Sequence, residues 1–144
     1  MTSPTPYAEL QVTSNFSFLR GASHPDELVA AAAALGHGAI AIADRNTLAG
    51  VVRAHGAARG LGLRLVVGAQ LDFTCGFSVL CFPMGRAAYG RLSRLLTVGK
   101  RRAPKGQCHI TRDDLYEYGE GQIVVALPPD QADCSLVSSP AFAR

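Results

Sequence analysis

Ala39-Ile40-Ala41-Ile42-Ala43-Asp44-Arg45-Asn46-Thr47 is the stretch that decides the fold. Its five leading apolar residues are too few for a helix, and turn-forming residues follow at once. Such a run suits a strand covered on both faces, as in a parallel sheet. Residues 44–46 read as the turn after it. Thr47 is placed to cap a helix reaching about Gly60, with Leu48, Val51, Val52, His55 and Ala58 on its inward side. Upstream, residues 8–13 alternate as a short strand and residues 14–22 form a loop. Residues 23–26 have capping-box form, with Pro25 admitted in the first turn. A helix over 25–35 follows, with Leu28, Ala31, Ala32 and Leu35 on one face and Gly36 as its stop.

Downstream, residues 63–67 read as a third strand closed by Gly68. Residues 70–73 and 77–82 form a hairpin-like insert. Residues 86–102 make the best amphipathic helix, with Tyr89, Leu92 and Leu96 in its apolar stripe. Thr111 and Asp114 suggest a second capping box and a short helix to about Tyr118. Residues 122–127 are another buried-type strand, ended by Pro128 and Pro129, and residues 130–144 read as an irregular tail. Strands alternating with helices mean an α/β domain with a largely parallel sheet flanked by helices.

A chain of 144 residues fits one domain with a substantial core. Hydrophobic residues at 48% and charged residues at 17% exclude a disordered chain. The net charge of +3 is too modest to single out nucleic acid as a partner. Residues 1–6 lack a leader pattern, and no apolar run approaches the ~20 residues of a bilayer span. A cytoplasmic protein without a membrane partner is expected. Cys75, Cys81, Cys108 and Cys134 form no C-x-x-C pair, which favours reduced thiols over a zinc site.

In α/β folds of this kind, sites form on loops at the carboxyl ends of strands. That rule picks out residues 13–21, 44–50 and 68–72, where the carboxylates are Asp44 and, slightly further on, Asp72. A hydrolytic metal centre needs several His, Asp or Glu groups converging. His24, His37, His55 and His109 show no ligand spacing. There is no phosphate-binding glycine loop and no nucleophile with a visible histidine partner. The residues alone describe a noncatalytic α/β domain, or a segment of something larger.

Arg86, Arg91, Arg94, Lys100, Arg101, Arg102 and Lys105 fall within one stretch that holds no acidic residue. They are candidate contacts to DNA phosphates or to a neighbouring domain, set against the plainer reading of a solvated helix face. Phe16 and Phe18 are candidates for base stacking or for anchoring their loop.

Residues 8–23, AELQVTSNFSFLRGAS, resemble the opening of the PHP domain of bacterial C-family DNA polymerases. Residues 41–50, AIADRNTLAG, resemble that family's second motif, and residues 65–70, LVVGAQ, its third. Residues 89–97 and 99–106 are similar to the error-prone, damage-inducible branch. The likeness covers about residues 7–129 and implies a partial PHP-type, TIM-like β/α barrel over residues 1–129. An active site of this type carries His-x-His where Gln11 and Thr13 stand, an acidic residue at Arg20, Asp-His at Asp44-Arg45, and glutamate at Gln70. Five of the six positions have lost their ligand type. Amide and hydroxyl oxygens are weak ligands for transition metals, and an arginine puts a permanent positive charge where a cation would sit. An arginine paired with Asp44 is the expected substitute for the metal.

The resemblance therefore implies a structural segment, without cofactor or catalytic residue, at the start of a translesion polymerase whose downstream palm would use Mg2+. The implied partners are the remaining polymerase domains, DNA through residues 86–105 (Arg91, Arg94, Lys100, Arg101, Arg102 and Lys105 foremost), accessory mutagenesis proteins and a sliding clamp. A free-standing interaction module and a degenerate metal-dependent phosphoesterase are the alternatives. Half a barrel would leave sheet edges and inward apolar faces uncovered.

Overall fold

The computed structural model describes residues 7–128. The expected tail over residues 130–144 lies outside them, as do Pro129 and Cys134. Nine elements follow in chain order: β1 (Ala8–Val12), α1 (Pro25–Ala34), β2 (Ala39–Arg45), α2 (Val51–Leu61), β3 (Arg64–Asp72), β4 (Ser78–Pro83), α3 (Arg86–Arg102), α4 (Arg112–Tyr118) and β5 (Gln122–Leu127). The strands form one curled sheet in chain order, a half-barrel. β1, β2 and β3 run parallel, whereas β4 is antiparallel to both of its neighbours.

Strand alternation gives the sheet two distinct faces. Ile40 and Ile42 of β2 pack under Val29 and Ala32 of α1 and Ala54 and Ala58 of α2. Ala69 and Leu71 of β3, with Val79 and Cys81 of β4, pack under Leu92, Leu95 and Leu96 of α3. This is the convex, helix-covered face. Ala41, Ala43, Leu80 and Phe82 cluster on the opposite, concave face. There Gly68 lies against the Phe82 ring. A methyl group on Gly68 would come within 2.5 Å of the Phe82 ring, so glycine makes room for the aromatic.

Several local expectations shift. β2 runs on through Asp44 and Arg45, which do not form a turn. α2 starts at Val51 after Gly50, without a side-chain cap. Asn46 adopts φ 53° and gives its amide to the Gln70 carbonyl, which holds the chain on the sheet as far as Asn46. Thr47 Oγ1 instead accepts from Ala49 N at 3.2 Å. The buried side of α2 is Val51, Ala54 and Ala58, and Val52 and His55 face solvent. In α1 the buried side is Pro25, Val29 and Ala32, with Ala31 and Leu35 exposed. Its N-cap is His24, one residue beyond the expected box, and His24 N donates to Glu27 Oε2 at 2.8 Å. The two segments around Gly68 are one continuous strand, β3. In α3, Ala88, Leu95 and Gly99 join Leu92 and Leu96 in the buried stripe, while Tyr89 stays 38% exposed.

The capping box at Thr111 forms as read: Thr111 N donates to Asp114 Oδ2 and Asp114 N to Thr111 Oγ1. β5 differs most. Ile123, Val124 and Val125, on alternating faces, are all exposed, so neither face of this edge strand is well covered by the described residues.

Candidate functional site

The carboxyl ends of β1, β2 and β3 converge, and two aspartates organise them on opposite faces. Asp44 continues the convex row of Ile40 and Ile42 and is 1% exposed. Its carboxylate accepts Ser14 N and Ser17 Oγ on Oδ1 and Ser14 Oγ on Oδ2, each at 2.7 Å. Ser17 Oγ also accepts Arg45 N at 2.9 Å, locking the β1–α1 loop onto β2. Gly21 completes the loop, since a side chain there would lie 2.3 Å from the Ser14 carbonyl oxygen. Three neutral donors thus satisfy a buried charge.

Arg45, the next residue, falls on the concave face beside its β3 partner Gln70. Its Nε donates to Asp72 Oδ2 at 2.6 Å, and a terminal nitrogen reaches the same oxygen. Asp72 Oδ1 accepts Gln70 Nε2 at 2.9 Å and Ser78 Oγ at 2.8 Å. Asn46 Oδ1 takes the Asp72 amide at 3.0 Å. One carboxylate therefore ties β2, β3 and β4 together. The expected arginine pair with Asp44 does not form. The alternation of β2 sends Asp44 outward and Arg45 inward, so Asp72 is the partner within reach.

Of the six positions singled out by resemblance, Arg45 and Gln70 meet in this network. Gln11 is exposed, in the stretch of β1 where the pairing register with β2 shifts. Thr13 is half-buried at the end of β1. Arg20 is exposed, with no carboxylate in ion-pair range among the described residues. Asp44 stands on the other face.

This donor set does not suit a divalent cation. The inward groups are amides, a hydroxyl and a guanidinium, and the one inward carboxylate is already bonded to Arg45, Gln70 and Ser78. No group of three His, Cys, Asp or Glu side chains converges among the described residues. His24 contacts Asn15 Nδ2 at 3.0 Å, His37 meets the Tyr7 ring edge-on, and His109 faces Gln107. Burial pushes the Cys81 thiol up to about 12, so it is a core group and not a nucleophile. Among the described residues no helix is long and apolar enough to cross a membrane.

The basic stretch is not uniform, and its expected lack of counter-ions is corrected by the fold. Arg102 makes a bidentate pair with Asp114 at 2.8 and 2.9 Å, linking α3 to α4. That pair holds the Asp114 carboxyl at about 2. Arg91 Nε donates to the Glu120 carbonyl at 2.8 Å and also faces its carboxylate. Arg94 lies beside the Tyr118 hydroxyl. The counter-ions were invisible locally because they enter from α4 and the turn before β5. Lys100 and Lys105 instead line an open cleft at the sheet mouth, with Phe16 and Arg45.

Comparisons with known proteins bear on the family and the fold. The chain is 55% identical over 134 residues to an error-prone DNA polymerase of Caulobacter vibrioides and 58% identical over 132 residues to error-prone DNA polymerase 1 of Agrobacterium fabrum. These matches cover 92% and 90% of the chain, which spans about 12% of the length of these relatives. Among solved structures, a proposed metal-dependent phosphoesterase from Bifidobacterium adolescentis matches with a TM-score of 0.56 and 21% identity, over 81% of this chain and 51% of that one. An amidohydrolase from Chromobacterium violaceum matches with a TM-score of 0.56 and 23% identity, over 65% of this chain and 33% of that one. At those identities the likeness concerns the fold. A model of the PHP domain matches residues 9–137, most of the chain, and with the half-barrel and its mouth in place the chain belongs to the PHP domain family.

Proposed function

We propose that the chain is the N-terminal PHP segment of an error-prone DNA polymerase acting in damage-induced translesion synthesis, and that the segment itself is structural and not hydrolytic. Its partners in this reading are the remaining polymerase domains, accessory mutagenesis proteins and a sliding clamp. The Mg2+ of DNA synthesis belongs to a palm downstream. The observation that carries the structural role is the Arg45–Asp72 pair. It puts a fixed guanidinium on the concave face at a position where the family resemblance calls for a metal-binding histidine. Identity of 50–58% to eight error-prone DNA polymerases supports the polymerase half of the reading.

Arg45 and Asp72 are not arranged to activate water, because the carboxylate is held as an acceptor by three donors and the guanidinium offers only donors. What the residues do is join β2, β3 and β4 at their ends. Elemental analysis of the purified chain tests the structural role. Less than stoichiometric zinc and manganese is expected, with no hydrolysis of bis-p-nitrophenyl phosphate. Gln11→His/Thr13→His/Arg45→His/Gln70→Glu, which restores four of the five lost ligand types, is expected to gain metal. Two ions bound to the parent chain, or metal-dependent hydrolysis by it, would overturn this role. Primer extension by the full-length polypeptide tests the polymerase half.

A further inference from the structure

The loop between β1 and α1 is fastened at its base and bare at its tip. Ser17 Oγ donates to Asp44 Oδ1 at 2.7 Å, and the Phe16 ring is seated over Gly50, where a β-carbon would come within 3.3 Å of it. Ser17 then closes a turn over residues 17–20, its carbonyl accepting Arg20 N at 2.9 Å and Gly21 N at 3.1 Å. The two central residues of that turn are Phe18 and Leu19. They are 84% and 85% exposed, the highest values among the large apolar side chains described, and neither joins a core cluster. Leu19 also holds φ 62°, a left-handed conformation that glycine takes freely and leucine does not. A small polar residue followed by glycine would close the same turn without strain and without apolar surface in water. Folding of the loop gives no reason for Phe18 and Leu19, so a strained, rigidly held apolar tip points to a contact outside the chain.

Cations bracket the tip. Arg20 follows it directly. Phe16, two residues before it, lines a cleft of about 530 Å³ together with Lys100 and Lys105, and no acidic residue lines that cleft. Arg20, Lys100 and Lys105 have no carboxylate in ion-pair range among the described residues. Arg45, the further cation of the cleft, is already held by Asp72. The surface is an apolar knob between unmatched positive charges. Its complement is a set of apolar side chains between carboxylates.

We propose that the tip of the β1–α1 loop docks an acidic, amphipathic segment of a partner protein, with apolar side chains on Phe18 and Leu19 and carboxylates on Arg20, Lys100 and Lys105. The aliphatic Leu19 argues against nucleic acid, because it offers no ring for a base to stack on and would stay in water. A flat anionic bilayer could meet the tip but could not enter the cleft that holds the lysines. A peptide segment does both. The proposal does not rest on the polymerase reading, and each can fail while the other stands.

The test is selection of phage-displayed random peptides of about 16 residues on the 144-residue chain, followed by fluorescence anisotropy with the most enriched peptide synthesised. Enriched sequences are expected to be acidic, with at least two large apolar residues about three or four positions apart. Phe18→Ser/Leu19→Gly should raise Kd about tenfold or more. The same variant should melt no lower than the parent, since it uncovers no core and relieves the left-handed leucine. Lys100→Gln/Lys105→Gln should raise Kd about threefold or more and flatten its salt dependence. Leu35→Ser/Leu61→Ser should change Kd by less than about twofold. Those two leucines are also exposed, but they precede the starts of β2 and β3, at the end of the sheet opposite the loop. Selected peptides without an acidic bias, or undiminished binding by the tip variant, would overturn the proposal. So would a tip variant that melts well below the parent, which would assign Phe18 and Leu19 to folding. Tighter binding of oligothymidylate or of phosphatidylglycerol vesicles, lost in the same tip variant, would overturn it in favour of those partners.

Discussion

Asp44 and Asp72 lie near the ends of neighbouring strands and carry the same charge, yet the fold handles them in different ways. Asp44 points under the helices, is almost wholly buried, and is met only by uncharged donors from one loop. Asp72 points to the concave face, its side chain 21% exposed, and is met by a guanidinium. The difference follows depth. A charge sealed from water needs several short hydrogen bonds aimed at both oxygens. A charge at the mouth can rely on an ion pair that water and salt partly screen.

The largest effect should come from Asp44→Ala. It strands the Ser14 amide and two hydroxyls in a dry pocket and frees the β1–α1 loop. A loss of about 3 kcal/mol or more is expected in urea denaturation, nearly independent of salt. Asp44→Asn should recover part of it, since one oxygen remains. Arg45→Met should cost less, about 1 kcal/mol, and its difference from the parent should shrink in 1 M salt. Equal salt dependence for the Asp44 and Arg45 variants would erase the distinction between the two faces.

A further effect concerns Asp114, an aspartate of intermediate kind that is buried yet paired with a half-exposed arginine. The Arg102 guanidinium foremost, and the Thr111 amide and hydroxyl, lower its folded value from 3.8 to about 2, against the opposing effect of burial. Its contribution is therefore present in full above the unfolded value and is lost as pH falls from about 4 to about 2. Stability measured across that window should fall less steeply in Asp114→Asn than in the parent. Superimposable curves would show that the pair contributes nothing.

How much of this could be read beforehand varied with local contrast. The Ala39–Ala43 run was legible as a buried parallel strand because both of its faces are covered. The helix faces were less so. In α1, five consecutive alanines make every side look alike, and the face of Leu28, Ala31, Ala32 and Leu35 has helical spacing no better than that of the buried Pro25, Val29 and Ala32. Asp44 and Arg45 were taken for a turn because polar residues followed an apolar run. Extending the period of two by two residues would have placed them on opposite faces. Asp72 was noticed but not given its role, since Arg45 and Ser78 reach it only through pairing across three strands. The partners of Arg91 and Arg102 were hidden by sequence distance. β5 reads as a core strand, and its exposed edge depends on which strand lies next to it, not on its own composition.

A metal ion has to be acquired after synthesis, and a chelator or a scarce supply can withhold it. Arg45 is translated with the chain, so the tie between β2, β3 and β4 is complete when the polypeptide folds. No change in metal availability can loosen it.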